Sequence, residues 1–523
     1  MLDNKGSITR RSLLKLGAAG VAVAVGYPAF RLLTGAAGCS SDTASHTSRP
    51  TLPRLVGIQG FSEPRPNVVI ILSDDLGSGD TGCYGNRIIR TPNINDLAQQ
   101  GVRFTDFYAS ASTCTPSRMG LLTGRYPIRS GCTVPIPSSS RPFLKKYYLD
   151  PAGKYLGRAG LWDMLESSLA EGIPDDEMTL ADALKVAGYR TMAVGKWHLG
   201  DFSRDPQYHP MRHGFDEFFG TPMSLGEYPN PLYRDETMLE KNIGLNVARL
   251  TELSTAEAVK FIERTGRDAP FFLYLAYHAP HVPLFATARF KDKSSAGIYG
   301  DVVEELDWGI GEVMQCLRRN GLQDNTIVMF TSDNGPWYDG KTIPGLRGRK
   351  GQSFEGGYRV PFIARWPGRI KPGTVCDTAA MNIDIFPTLL AQAGLTPPSD
   401  RIIDGRDIIG LMNGKDTSCQ HDKFFFYEAH ICQGVRAVDW KYFRDISHYR
   451  WPFPIDRPTT FIGSMVNHKY MATWPDLYNI RLDEGEDYNL SSRYPDKCRE
   501  MDALLTAWEN ELRTNPRGWI NRS

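Results

Sequence analysis

Short, almost wholly apolar runs punctuate this chain, and a cluster of polar residues follows most of them. The runs are Asn67-Val-Val-Ile-Ile-Leu-Ser73, Tyr189-Arg-Thr-Met-Ala-Val194, Pro270-Phe-Phe-Leu-Tyr-Leu-Ala-Tyr277, Thr326-Ile-Val-Met-Phe330 and Val360-Pro-Phe-Ile-Ala-Arg365. Continuous apolar runs of this length predict strands buried on both faces, as in a parallel sheet covered by helices. Apolar residues at three- and four-residue spacing predict helices over Thr91–Val102, with Pro92 at its start, Thr179–Ala187, stopped by Gly188, Gly300–Arg318 and Asn382–Ala393. Phe104–Tyr108 reads as a further short strand. This alternation gives an α/β fold class, a large mixed, mostly parallel sheet sandwiched by helices. After about residue 420 the period changes. Phe424–Tyr427, Gly434–Val438 and Tyr442–Arg444 are short alternating segments, which predict a smaller C-terminal antiparallel sheet, closed by a helix over Arg499–Arg513.

The N-terminus breaks this pattern. Thr9-Arg10-Arg11-Ser12-Leu13-Leu14-Lys15 precedes a Gly/Ala/Val/Leu run ending near Leu33 and interrupted by Pro28 and Arg31. It resembles a twin-arginine (Tat) export signal, too broken for a comfortable membrane span. Ala36-Ala37-Gly38-Cys39 resembles a weak lipobox; cleavage near Ala37 is the alternative to a lipid on Cys39. The expected division is 1–39 export signal, 40–66 a Ser/Thr/Pro-rich linker, 67–420 a catalytic domain, and 421–523 the antiparallel sheet with its helix.

Charge adds little. The 523 residues carry 60 Lys+Arg and 59 Asp+Glu, so nothing in the balance argues for nucleic acid, and an anion site must be built locally. The nine cysteines, at 39, 83, 114, 132, 316, 376, 419, 432 and 498, form no C-x-x-C pair, so no zinc or redox motif appears. Most are expected to be buried thiols.

The polar clusters after the strands carry the chemistry. They are Asp74-Asp75, Lys196 with His198, His278 (followed by Ala-Pro-His281), and Asp333-Asn334. Carboxyl ends of strands are where α/β sheets bind ligands, so parallel neighbours would bring these groups together. Asp74, Asp75, Asp333 and the Asn334 amide oxygen form an all-oxygen set. It suits one hard divalent cation, with calcium favoured over magnesium for its tolerance of irregular geometry. Lys196, Lys350 and Arg118 supply positive charge for an anionic substrate. Ser112-Thr-Cys114-Thr-Pro116-Ser-Arg118 reads as a turn entering a helix, with Thr113 or Thr115 able to cap, Pro116 suited to its first position, and Arg118 one turn from Cys114.

The CTPSR and LTGR segments within 114–125, together with GKWHLG at 195–200, resemble the two signatures of the type I, formylglycine-dependent sulfatases of the alkaline phosphatase superfamily. The resemblance spans about Asn67 to Leu490. It implies an arylsulfatase-like hydrolase in which Cys114 is oxidised to formylglycine by a maturation enzyme acting on the unfolded chain. The hydrated aldehyde at 114, itself a metal ligand, would attack the sulfur of a sulfate monoester and be activated by Asp333. His198 would take the second hydroxyl proton and expel sulfate. Arg118 and Lys196 would orient the hydrate. His278 and Lys350 would hold the sulfate, one of them protonating the leaving oxygen. A phosphate or phosphonate monoester hydrolase of the same superfamily, or an inactive sulfoglycan-binding protein, are the alternatives. Expected partners are a sulfated small molecule or glycan, the maturation enzyme and the Tat machinery. The expected location is the periplasm, free or lipid-anchored. Loops such as 132–172, with Leu161–Leu169 helical, and 222–240 would set the natural substrate.

Overall fold

The structure, a computed structural model, describes residues 52–53, 55–136, 170–227, 229–266, 268–341, 345–444, 446 and 475–520. The export segment and Leu161–Leu169 lie outside the described residues. No helix among the described residues is long and apolar enough to cross a membrane.

Strands β1 (Asn67–Ser73), β2 (Val102–Phe104), β3 (Phe107–Tyr108), β4 (Arg190–Lys196), β5 (Glu217–Thr221), β6 (Leu232–Arg234), β7 (Thr237–Glu240) and β8 (Phe271–Ala276) precede β9 (Thr326–Ser332), β10 (Phe362–Arg365), β11 (Thr374–Cys376) and β12 (Ala380–Met381). Ten of them make one sheet in the order β11-β2-β10-β9-β1-β8-β4-β5-β6-β7. Its centre, β9-β1-β8-β4-β5, is parallel, and antiparallel strands flank it on both sides.

The alternation of a buried strand explains the layering. In β1, Val68, Ile70 and Leu72 join one apolar core while Val69 and Ile71 join the other. Helices α2 (Cys114–Thr123), α3 (Leu180–Val186) and α6 (Ile385–Gln392) cover the first face. Helices α1 (Pro92–Gln99), α4 (Leu250–Thr265) and α5 (Gly297–Arg319) cover the second. Each fully buried Val, Leu or Ile contributes about 1.5–3 kcal/mol relative to exposure, enough for these strands to carry costly polar groups at their ends. Helix α3 starts where a capping box forms: Thr179 Oγ1 accepts from Asp182 N–H at 3.1 Å, and Asp182 Oδ2 accepts from Thr179 N–H at 2.9 Å.

The register aligns the strand ends. Leu72 of β1 pairs with Thr331 and Ala276, and Ala276 pairs with Gly195 of β4. One row therefore crosses four strands, and Asp74, His278 and Asp333 each follow it by two residues. Gly195 has φ +100°, and a Cβ there would lie 2.0 Å from Ala276 O, so glycine is what lets β4 deliver Lys196 against β8.

Strands β13 (Phe424–Glu428), β14 (Ile431–Ala437), β15 (Trp440–Phe443) and β16 (Asp476–Asn479) form the antiparallel C-terminal sheet. With α7 (Pro495–Thr514) it builds a third apolar cluster that also takes in Tyr108, Tyr126, Phe354 and Tyr358. Among the described residues eight cysteines are free thiols, six of them buried.

Candidate active site

Cys114 is the first residue of α2 and is 2% exposed. Thr113 occupies the cap position with extended backbone but makes no side-chain cap, and Pro116 is the third helical residue rather than the first. Proline is tolerated there because N–H groups of the first turn lack intrahelical acceptors. Thr115 does not cap either; its hydroxyl donates to His198 O at 2.9 Å, tying the helix start to the segment after β4.

The strand ends converge on Cys114. Its Sγ lies 3.2 Å from Lys350 Nζ, 3.6 Å from Asp74 Oδ1 and 4.0 Å from Asp75 Oδ1. Lys196 Nζ donates to Asp74 Oδ2 at 2.7 Å, and Lys350 Nζ to Asp75 Oδ2 at 2.8 Å. Arg118 turns to the carboxylates: its Nε donates to Asp333 Oδ2 at 2.9 Å, and Nη2 lies 3.6 Å from Asp74 Oδ1. All these side chains are almost fully buried. Asp75 (φ +66°) and His198 (φ +57°) both hold the left-handed backbone that non-glycine residues avoid. Such strain, of order 1–3 kcal/mol each, gathers where geometry is functional.

Electrostatics follow from this packing. Burial pushes the Cys114 thiol up to about 12, against the pull of Lys196 and Lys350. Burial thus favours the protonated thiol, which is a poorer nucleophile than a thiolate. Burial opposes ionisation of Asp74, yet Lys196, His281, Arg118 and Lys350 together hold it well below the usual carboxylate range. Asp333 is pushed up to about 6 by burial and by Asp74. Burial, with Lys196 and Arg118, keeps His198 well below 6.5 and therefore neutral.

Hydrogen bonds fix the histidine tautomers. His198 Nε2 meets Ile136 O at 3.0 Å, and a carbonyl only accepts, so Nε2 carries the proton and Nδ1 keeps a lone pair. His278 Nε2 lies 2.8 Å from Thr221 Oγ1, whose own hydrogen goes to Met223 O. His278 therefore also donates through Nε2. Neither Nδ1 has a hydrogen-bond partner among the described residues.

The oxygen set fits a cation. Asp74 and Asp75 follow β1, Asp333 and Asn334 follow β9, and Asn334 Oδ1 is a buried acceptor without a hydrogen bond while its Nδ2 donates to Asp75 Oδ1 at 2.8 Å. An orphaned buried amide oxygen beside three carboxylates is what a hard cation would satisfy. Ligand atoms of Asp74, Asp75, Cys114 and His281 also lie within 4.8 Å of one another.

Comparison with known proteins accords with this chemistry. The sulfatase family model matches residues 66–395, and a model described as N-sulphoglucosamine sulphohydrolase, C-terminal, matches 349–452. N-acetylgalactosamine-6-sulfatase of Homo sapiens is 40% identical over 464 residues, covering 83% of each chain. The chain belongs to the sulfatase family. Steryl-sulfatase of Rattus norvegicus is 33% identical over 549 aligned residues, covering 87% of this chain and 90% of that one. The solved PsFucS1 sulfatase from Pseudoalteromonas sp. superposes with a TM-score of 0.70 at 25% identity, covering 87% of this chain and 92% of that one. The enzyme is thus a sulfuric ester hydrolase built on a mixed sheet with a C-terminal antiparallel sheet.

Within this sulfatase the residues read from the motifs meet in one place. Sequence reasoning singles out His278 and not His281, which the structure also brings to the site. Both stand in the His278-Ala-Pro-His281 segment, but nothing in the spacing chooses between the two histidines. The fold separates them: Thr221 at the end of β5 engages His278, while His281 Nε2 lies 3.7 Å from Asp75 Oδ2 and 3.1 Å from Ser224 Oγ, with its side chain 12% exposed.

Proposed function

We propose that this sulfatase hydrolyses the sulfate monoester of a sulfated carbohydrate, with residue 114 present as formylglycine and a divalent cation, calcium in preference to magnesium, held by Asp74, Asp75, Asp333 and Asn334. One observation carries the reading: the side chain of residue 114 is buried in hydrogen-bond contact with Lys350 and beside Asp74 and Asp75, at the point where the strand ends converge. The Sγ atom marks where the aldehyde-derived oxygens would lie. When present, the hydrate supplies the oxygen nucleophile and the cation draws charge from a sulfate oxygen.

The chain's own residues have the following parts. Asp333, raised to about 6 and anchored on Arg118, stands ready to accept a proton from the nucleophilic hydroxyl. His198, neutral and with Nδ1 unpartnered, takes the proton whose loss releases sulfate. Lys350, Lys196 and Arg118 surround residue 114 with positive charge that grows in value as the sulfuryl group transfers. His281, rather than His278, is the histidine placed to meet the ester and its leaving oxygen, alongside Lys350.

The similarity to an N-acetylgalactosamine-6-sulfatase supports a carbohydrate ester, and the similarity to steryl-sulfatase puts a steroid sulfate in the comparison set. The proposal includes maturation on the unfolded chain and export through the Arg10-Arg11 signal, supported by the motifs alone. The test is sulfate release from an N-acetylgalactosamine 6-sulfate, an aryl sulfate, a steroid sulfate and a phosphate monoester, with mass spectrometry of the peptide holding residue 114. The expected peptide is about 18 Da lighter than its Cys form, by thiol-to-aldehyde conversion. Steady turnover by unmodified Cys114 protein, or preference for the phosphate ester, would overturn the reading.

A further inference from the structure

The loop from Leu346 to Tyr358 carries Lys350 and has little regular structure. Its own backbone bonds seat it on the catalytic sheet. Lys350 N–H donates to Pro336 O (3.1 Å), Gly351 N–H to Ser112 O (2.8 Å), and Gly335 N–H to Gly357 O (2.9 Å). The fit is close, since a Cβ on Gly335 would lie 2.0 Å from Gly356 O.

The root of this loop, however, is held by the C-terminal sheet. Glu355 is fully buried, and Lys441 Nζ on β15 lies 2.8 Å from its Oε1 and 3.0 Å from Glu486 Oε1. Glu486, in the turn after β16, accepts the Glu355 backbone N–H through Oε2 at 2.7 Å. Tyr108 donates its hydroxyl to both Glu355 oxygens at 2.8 Å. Arg347 donates to Glu486 O at 3.2 Å, and Ser353 Oγ to Gln433 Oε1 on β14 at 2.7 Å. Lys441, Glu355 and Glu486 are each 0% exposed.

Buried ion pairs are weak grounds for stability, so this arrangement asks for a second role. Apolar side chains of similar volume would hold a loop root at least as well as one buried ammonium between two carboxylates. What the ionic set provides is direction: Lys441 fixes the Glu355 carboxylate while Glu486 fixes the Glu355 backbone, so the loop has one path to residue 350. A lysine has a long, flexible stem, and its ammonium can hold a fixed place only if its Cα does.

We propose that Lys441 and Glu486 of the C-terminal sheet are positioning residues for Lys350, acting through Glu355 to keep its ammonium on Asp75 and residue 114. The proposal rests on the reading of Lys350 as a group that meets the sulfate ester.

The test is a double-mutant cycle on the exported, matured enzyme with an aryl sulfate. Glu486→Ala should lower kcat/KM about tenfold or more, and Glu486→Gln, whose amide oxygen still accepts the Glu355 N–H, should return it to within about threefold of wild type. In a Lys350→Met background Glu486→Ala should cost less than about twofold further. If Glu486→Ala fails to fold, Arg347→Leu, an exposed side chain that donates to the Glu486 backbone carbonyl and so helps hold the same turn, takes its place in the cycle with the same non-additivity expected. Equal losses in both backgrounds, or no recovery with Gln, would overturn the positioning role. Full activity of Lys350→Met alone would remove the role assigned to Lys350 and this proposal with it, while sulfate turnover by the wild type would still stand.

Discussion

Cys114, His198 and His281 differ in what surrounds them, and their predicted phenotypes differ accordingly. Cys114→Ala removes little volume and should fold, but should release no sulfate in a steady-state assay; residual turnover above about 10⁻³ of wild type would refute the nucleophile assignment. His281 belongs to the cluster around residue 114, whereas His278 spends its N–H on Thr221. His281→Ala should therefore cut kcat/KM by about 10²-fold with little change in Tm, while His278→Ala should show its main effect as a lower Tm, through the lost imidazole volume and the donor lost to the buried Thr221 oxygen, which still donates to Met223 O. Reversal of that order would return the substrate role to His278. Because burial lowers the His198 pKa, its base form exists at lower pH than an ordinary imidazole allows. Its ring should stay neutral at pH values where an ordinary imidazole is already charged, which nitrogen chemical shifts in histidine-labelled protein would report. Most of these residues were legible in the sequence because signatures name them and apolar runs announce the strand ends. The different settings of His278 and His281 were not, because they depend on Thr221 and Asp75, residues brought in by other strands.

At the scale of elements, legibility followed apolar contrast. The run Asn67–Ser73 is β1 as observed, since every residue in it is buried. Helix α4 escaped the pattern because its buried face includes Ser254, Thr255, Ala258 and Thr265, which blur the apolar period. Strands β6 and β7 escaped it because they are short and lie at the sheet's edge, with Met238 and Leu239 exposed. Helix α5 was read nearly whole, and it holds a polar anchor that pattern cannot reveal. Glu305 is buried and accepts the Thr287 N–H at 2.9 Å, fixing the segment that follows His281. Burial pushes Glu305 up to about 7 from 4.5. The folded state thus holds this proton more tightly than the unfolded chain, so its stabilising effect is complete below pH 4.5 and is lost as pH rises through 7. Glu305→Gln keeps an acceptor and removes the titration. The Tm of Glu305→Gln minus that of wild type should therefore increase from pH 5 to pH 8. Parallel curves over that range would show that Glu305 is not held protonated by the fold.

The whole molecule sets a constraint on where it can be made. Its central strand β1 pairs with β8 and β9, segments more than two hundred positions later in the chain, so the site exists only after most of the sequence has folded. Residue 114 is then sealed at 2% exposure, which agrees with oxidation before folding, as the CTPSR resemblance implies. On the proposed reading, modification of the unfolded chain comes before folding, and the two steps follow one another most simply in one compartment. A chain that leaves such a compartment folded needs a route for folded cargo, which is the chemistry the Arg10-Arg11 pair resembles. Replacing both arginines by lysine should trap a full-length precursor in the cytoplasm. That precursor should be folded, lighter by about 18 Da at residue 114, and active on an aryl sulfate once cells are lysed. The decisive comparison is the ratio of sulfatase activity in the periplasmic and cytoplasmic fractions. Unchanged periplasmic activity would mean that the arginine pair is not read as a signal. A trapped but unfolded and inactive precursor would mean that folding follows export, and the order of events argued from the buried nucleophile would be wrong.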